Sequence, residues 1–128
     1  MTVERRHIRT VVAGPIRIVL DYGWELDDDG PVISVWGSEG EQETRLLEFY
    51  CFARDPRYVY APDGKNEVHH AADEEIGDML EWTLHRLQRD LPDMLRRAGF
   101  GKLADQVDPE LVGRRVGELQ EALTSLEH

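Results

Sequence analysis

The sequence predicts an α+β fold: an antiparallel, four- to five-stranded meander covered by a long helix, with a further helix at the C-terminus. In the first half of the 128-residue chain, apolar residues alternate with a period of two, which is typical of strands. In the second half they recur at spacings of three and four, which is typical of amphipathic helices. We therefore expect one domain over residues 1–126, with strands within about 3–60 and helices within about 73–126.

Five segments have the pattern of strands. Short polar turns rich in Gly, Pro and Asp separate them, which favours hairpins and therefore antiparallel pairing. The fourth segment is apolar on both faces near its centre, so we expect it to lie centrally in the sheet. In order, the segments are Val3–Ala13, Ile16–Leu26, Val32–Trp36, Thr44–Ala53 and Arg57–Tyr60.

The long helix is expected over Asp73–Ala98. The carboxylate of Asp73 can cap its N-terminus, and Gly99 is a suitable C-terminal stop. Pro92 lacks an amide proton and clashes with the preceding turn, so we expect a kink or a restart there. The apolar stripe of this helix consists of Ile76, Leu80, Leu84, Leu87, Leu91, Leu95 and Ala98.

A last helix is expected from Asp108-Pro109, with Asp as the N-cap and Pro in the first turn. Gly113 and Gly117 lie inside it, and each costs about 1 kcal/mol of helix propensity relative to Ala. This cost suggests close approach of another backbone, in this chain or in a second subunit, and we expect a homodimer. Alternatively, the helix is marginal, or its heptad-like stripe simply covers the sheet. That stripe is Val112, Val116, Leu119, Leu123 and Leu126.

The charge balance restricts the classes of partner. The chain is 41% hydrophobic and 32% charged, with a net charge of −11, so it lacks the clustered cations that bind nucleic acids or anionic membranes. Nine acids fall between Asp21 and Glu48, against Arg45 alone. We interpret this stretch as a solvated rim of the sheet or, alternatively, as a docking face for a basic protein partner.

The ends of the chain and its cysteine content favour a cytoplasmic protein. Charges interrupt the N-terminal segment where a signal peptide needs its apolar core. The chain has one cysteine, Cys51, which we expect to be a core residue. Residues 127–128 are typical of the start of a purification tag.

Two groups of residues are candidates for a site. Tyr58 and Tyr60 share one face of a short strand beside Arg57, so their rings could form a platform for a ligand or a partner, or they could pack on the sheet. His69, His70 and Asp73 supply the ligand types of a zinc or other divalent metal site.

The metal hypothesis has a simpler alternative. Adjacent histidines on an extended segment point in opposite directions, so one of the pair at most would face a given site. The segment could equally be a polar turn whose aspartate caps the helix. We expect no cofactor if this alternative is correct.

Several motifs in the middle of the chain resemble an uncharacterised bacterial domain family. They are Phe49–Phe52, Asp55–Tyr60, Asn66-Glu67, Gly77–Leu84 and Leu91–Phe100. In the family pattern, a strand of the form Phe-Asp-Cys-Phe precedes Pro-His-Tyr-His-Tyr, and a Leu-Glu-Trp-Thr-Leu helix follows. Here Tyr50 replaces the Asp, while Arg57 and Val59 occupy the two His positions. The His-based site that the resemblance implies is therefore missing, unless His69 or His70 substitutes for it. The family brings no known function.

Two functions follow as expectations. The first is a small acidic protein-binding module that neutralises a basic partner, in the manner of an immunity- or antitoxin-type protein. The second is a metal-dependent or acid–base enzyme centred on His69, His70 and Asp73. The enzyme needs these side chains to converge in a concave pocket, whereas the binding module needs an exposed acidic or apolar surface.

Overall fold

The computed structural model describes residues 3–38 and 40–126, without the side chain of Leu126. Six strands form one antiparallel sheet in the order β1-β2-β3-β4-β5-β6. The strands are β1 Glu4–Ala13, β2 Ile16–Glu25, β3 Asp28–Ser38, β4 Glu43–Tyr50, β5 Arg57–Tyr60 and β6 Glu67–His70. A 3₁₀ turn at Ala71–Glu74 precedes α1 Met79–Arg97, α2 Gly101–Gln106 and α3 Pro109–Leu126. The α+β class is confirmed, although the sheet has six strands rather than four or five.

The additional strand is β6, which carries the histidine pair. In the sheet, His69 lies opposite Tyr58 and His70 lies opposite Arg57. The sequence pattern missed this strand because an edge strand is held by backbone hydrogen bonds on one side and needs no apolar alternation. The segment expected as a polar turn is therefore extended, and its two imidazoles point to opposite faces of the sheet.

Helix α1 begins later than expected. Asp78 caps it by accepting a hydrogen bond from the backbone N–H of Glu81 at 3.0 Å. Asp73 lies in the 3₁₀ turn instead, because Glu75 has a φ of 57° and ends that turn before α1 begins. The helix does not restart at Pro92 but continues to Arg97.

The hydrophobic core lies between one face of the sheet and the helices. Alternate sheet residues face α1 and α3. Of the α3 stripe, Val112, Val116 and Leu119 are buried in this core and Leu123 packs partly buried against it, while the side chain of Leu126 lies outside the described residues. These stripe residues therefore pack within the chain, and the homodimer stays a prediction. The sheet residues of the core include Ile16, Ile18, Leu20, Ile33, Val35, Leu47 and Phe49.

The opposite face of the sheet is called the open face here, because its side chains are not part of this core. Three apolar residues at its centre, Val19, Val32 and Val59, are nevertheless buried. Long polar side chains surround them. The open face carries Arg5, His7, Asp21, Ser34, Arg45, Glu48, Tyr50, Arg57 and His70, as the strand register shows.

Candidate functional site

Tyr58 and Tyr60 do share one face of β5, but that face is inside the protein. Their exposed fractions are 3% and 2%. The ring of Tyr58 stacks on the imidazole of His69 at 5.0 Å between centroids and lies 4.9 Å from the ring of Trp82. Because both tyrosine rings are packed, they do not form an exposed platform.

Charged groups surround the imidazole of His69 at the edge of the sheet. Its Nε2 lies 2.5 Å from a carboxylate oxygen of Glu67, and its Nδ1 lies 3.4 Å from a carboxylate oxygen of Glu74. The Tyr58 hydroxyl donates to Glu74 at 2.8 Å. Burial, followed by this hydrogen bond, raises the pKa of Tyr58, so the phenol stays protonated.

Arg57 and His70 lie on the open face. The Arg57 guanidinium sits 4.4 Å above the ring of Tyr50 and pairs with Glu25 at 3.0 Å. Nδ1 of His70 lies 3.0 Å from a carboxylate oxygen of Asp55. Arg57 is thus separated from Tyr58 and Tyr60 by the thickness of the sheet.

The three residues proposed as metal ligands are not brought together. His69 and His70 lie on opposite faces of β6, and Asp73 is exposed on the 3₁₀ turn. Within residues 3–38 and 40–126, no group of three or more His, Cys, Asp or Glu side chains is arranged to hold a metal ion. The geometry therefore gives no support to the enzyme hypothesis in the form centred on these residues.

Cys51 is partly buried and packs against the hydrophobic core, with Sγ 3.8 Å from the hydroxyl of Thr83. Burial raises the pKa of the Cys51 thiol to about 12. A thiol in this state is not a nucleophile at neutral pH.

Glu48 is the most deeply buried charged side chain of the open face. The sequence pattern placed it in a stretch interpreted as a solvated rim or a docking face. Its exposed fraction is 0%. Its carboxylate accepts hydrogen bonds from Arg5 at 3.2 Å, from Arg45 at 3.1 Å and from Ser34 at 2.9 Å. The hydroxyl of Tyr50 also donates to it. These donors replace the water that burial removes.

The electrostatics of this cluster favour the ionised form of the carboxylate. Burial alone would raise the pKa of Glu48, but the Tyr50 hydroxyl and the guanidiniums of Arg5 and Arg45 together lower it. Burial, and then the negative charge of Glu48, raises the pKa of Tyr50 to about 12. A carboxylate with a lowered pKa and four donors is a poor general base, so we assign the cluster a structural role.

The acidic stretch Asp21–Glu48 does not form one docking face. Asp21, Asp28 and Glu48 are all buried. Asp28, for example, accepts the backbone N–H groups of Arg54 and Asp55 at 3.0 and 2.8 Å. Glu39 lies outside the described residues. The acids are close together in the sequence, but side chains alternate between the two faces of a strand. The acids of one strand are therefore divided between the two faces of the sheet.

An acidic groove lies instead beside the start of α1. It has two adjoining lobes of about 440 Å³ each, which share Asp78, Glu81 and His85. Its apolar lining comprises Ile76, Leu80, Trp82, Leu84 and Leu123. Its charged lining comprises the carboxylates Glu74, Glu75, Asp78 and Glu81, and no Lys or Arg is among the described residues that line it.

Sequence reasoning missed the groove because it placed Glu74, Glu75, Asp78 and Glu81 inside the helix expected over Asp73–Ala98 and assigned none of them to a site. A usable signal was present. Asp78, Glu81 and His85 follow one another at spacings of three and four, which places them on one side of α1. The apolar stripe runs alongside them. The contribution of α3 to the second lobe, through Gln120, Leu123 and Thr124, is a tertiary contact that spacing does not show.

Comparisons with known proteins identify a family for the chain but no individual relative. None of the described helices is long and apolar enough to cross a membrane. No curated protein and no solved structure matches the chain. Residues 10–123 match a family described as a domain of unknown function, DUF7700. This match confirms the expected relationship to an uncharacterised family, and the chain belongs to the DUF7700 family.

Proposed function

We propose that the protein is a binding module that holds a basic, amphipathic segment of a partner protein in the acidic groove. The observation that carries the proposal is the composition of the groove: an apolar lining that includes Trp82, under a rim of four carboxylates. A basic amphipathic helix has an apolar face to match the apolar lining and a basic face to match the carboxylates. Helix-in-groove recognition uses apolar anchors at helical spacing.

The charge of the groove is available to a partner, whereas that of the open face is not. Glu75, Asp78 and Glu81 are exposed. Glu74 already bonds to Tyr58. On the open face, the arginines are paired with carboxylates of the same chain, for example Arg57 with Glu25. The groove is therefore the better candidate for electrostatic recognition.

The net charge of −11 supports the same choice of partner. A protein with a large negative net charge attracts a basic one at long range and accelerates the encounter, and the local carboxylates then fix its orientation. Neutralisation of a basic protein in the cytoplasm, as by an immunity- or antitoxin-type protein, is the specific form of this function that we propose.

The proposed function has a second part, which is self-association of the chain. The stripe of α3 is used inside the chain, but Gly113 and Gly117 face open space. A methyl group added at either glycine would meet no heavy atom of the described chain within 4 Å, apart from the local helix backbone. Close approach within the chain therefore does not explain these glycines. We propose that this side of α3 contacts a second copy in a homodimer.

A synthetic amphipathic peptide of Leu and Lys tests the groove. We expect it to bind, to change the fluorescence of Trp82 and to be weakened by salt, because the attraction is electrostatic. A Leu/Glu peptide of the same pattern is the control. Equal binding of both peptides would contradict the proposal, since it would show that charge plays no part in recognition.

A further inference from the structure

A β-bulge in β1 places two polar side chains together on the open face. The pairing of β1 with β2 shifts between His7 and Arg9, so that Ile8 is the additional residue. In a regular strand, residues three apart point to opposite faces. The bulge removes this alternation, and His7 and Thr10 lie on the same face, opposite Asp21 and Val19 respectively.

Three side chains at this bulge form a continuous hydrogen-bonded series. Nε2 of His7 lies 3.2 Å from the hydroxyl oxygen of Thr10, and Nδ1 of His7 lies 3.0 Å from a carboxylate oxygen of Asp21. Asp21 is buried, while Thr10 is exposed and the side chain of His7 is 55% exposed. The order hydroxyl, imidazole, carboxylate is that of an activated nucleophile, its general base and the group that orients the base.

The carboxylate determines which imidazole nitrogen acts as the base. Asp21 can only accept a hydrogen bond, so the neutral imidazole carries its proton on Nδ1 and donates it to Asp21. The lone pair on Nε2 is then directed at the hydroxyl of Thr10. Nη1 of Arg5 lies 4.0 Å from the other oxygen of Asp21.

We propose that Thr10, His7 and Asp21 form a nucleophilic site on which Thr10 accepts an acyl group from an activated ester. A bond forms between Oγ1 of Thr10 and the acyl carbon, and the bond from that carbon to the leaving oxygen breaks. The hydroxyl proton passes to Nε2 of His7 and from there to the leaving alkoxide. The products are an acylated Thr10 and the free alcohol. This site is distinct from the acidic groove and does not depend on it.

The surroundings limit the chemistry to acylation. Thr10 and His7 are exposed on a strand, so activated donors of different shapes can reach them. Because both side chains are exposed, the protein does not enclose an acyl group or a water at this position. We therefore expect one acyl group per chain, with slow release, rather than rapid turnover.

The chain offers internal controls. Thr124 is also exposed, but its hydroxyl donates to the backbone carbonyl of Gln120 rather than to an imidazole. His70 lies on the open face and its Nδ1 is bonded to Asp55, like Nδ1 of His7 to Asp21. Thr124 shows how fast a threonine without a neighbouring base is acylated. His70→Gln shows the effect of removing a comparable imidazole away from Thr10.

The experiment treats the full chain with p-nitrophenyl acetate and locates acetyl groups by peptide mass spectrometry, with lysine and N-terminal acetylation counted separately. We expect Thr10 to be acetylated faster than Thr124. We expect His7→Gln to slow acetylation of Thr10 by about 100-fold, the lower range for loss of a general base. His70→Gln should leave it unchanged. Because His7 is exposed, its substitution should not unfold the protein, and circular dichroism checks this.

Three results would overturn the proposal. The first is equal acetylation of Thr10 and Thr124. The second is acetylation of Thr10 at the same rate in the folded His7→Gln protein. The third is a stable acetyl group on the imidazole of His7 with none on Thr10, since the imidazole would then be the nucleophile and not the base.

Discussion

Glu48 in β4 accepts a hydrogen bond from Arg5 in β1 at 3.2 Å, although two strands lie between them in the sheet. Neighbouring strands are about 4.8 Å apart, so a flat sheet would separate β1 from β4 by about 14 Å. The long side chains of Arg5 and Glu48 bridge this distance across the open face. They belong to the polar side chains that surround Val32, which is buried on a face that is not part of the helix-covered core.

The first prediction concerns the stability that Glu48 provides. Glu48→Gln removes a buried charge and leaves Arg5 and Arg45 without their shared partner. We expect a loss of about 2–4 kcal/mol in the free energy of unfolding, at the lower end of the range for buried pairs because both arginines are partly exposed. Urea denaturation measures it. Glu43→Gln, on the same strand, is the matched control and should cost under about 1 kcal/mol because Glu43 is exposed and its partner Arg17 is partly exposed.

The second prediction is the pH dependence of that stability. The pKa of Glu48 is lowered from its usual value of 4.5 in the folded state, so unfolding raises its affinity for protons. Its contribution is present above about pH 4.5 and is lost as the pH falls through the folded pKa. Denaturation of the wild type and of Glu48→Gln at neutral and acidic pH should give two curves that converge in acid. Parallel curves would show that Glu48 is not the group responsible.

The third prediction distinguishes two aspartates at the start of α1. Asp78→Ala should cost about 1 kcal/mol, because Asp78 accepts the backbone N–H of Glu81. Asp73→Ala should change the stability much less, because Asp73 lies in the preceding 3₁₀ turn. Thermal unfolding compares the two variants, and a larger effect at Asp73 would contradict the observed helix start.

These cases show what local sequence can and cannot predict. The α1 stripe and the C-terminal stop at Gly99 follow from spacing, but Asp73 and Asp78 are both suitable caps, and only the left-handed backbone at Glu75 decides between them. The six-residue α2 is too short to show a helical period. Two of the four donors to Glu48, Ser34 and Arg5, lie 14 and 43 residues away in the sequence, so no local pattern identifies the whole cluster. Tyr58 and Tyr60 share a face as expected, but which face α1 covers is a tertiary property.

The fourth prediction tests the proposed homodimer. Gly113→Ala together with Gly117→Ala should stabilise the isolated helix by about 1 kcal/mol per site, since both positions face open space within the chain. If a second copy packs there, the added methyl groups should shift the protein from dimer to monomer in light scattering after size exclusion. An unchanged molar mass would exclude this side of α3 as the interface.

The central claim is that the acidic groove recognises basic partners, and its most direct test is the affinity of the Leu/Lys peptide for two charge variants. Glu75→Gln with Glu81→Gln removes two charges from the groove. Glu41→Gln with Glu110→Gln removes two exposed charges elsewhere. We predict that the groove variant binds about 10-fold more weakly than the wild type, while the control changes little. Equal weakening in both variants would show that net charge alone attracts the peptide and would contradict the account.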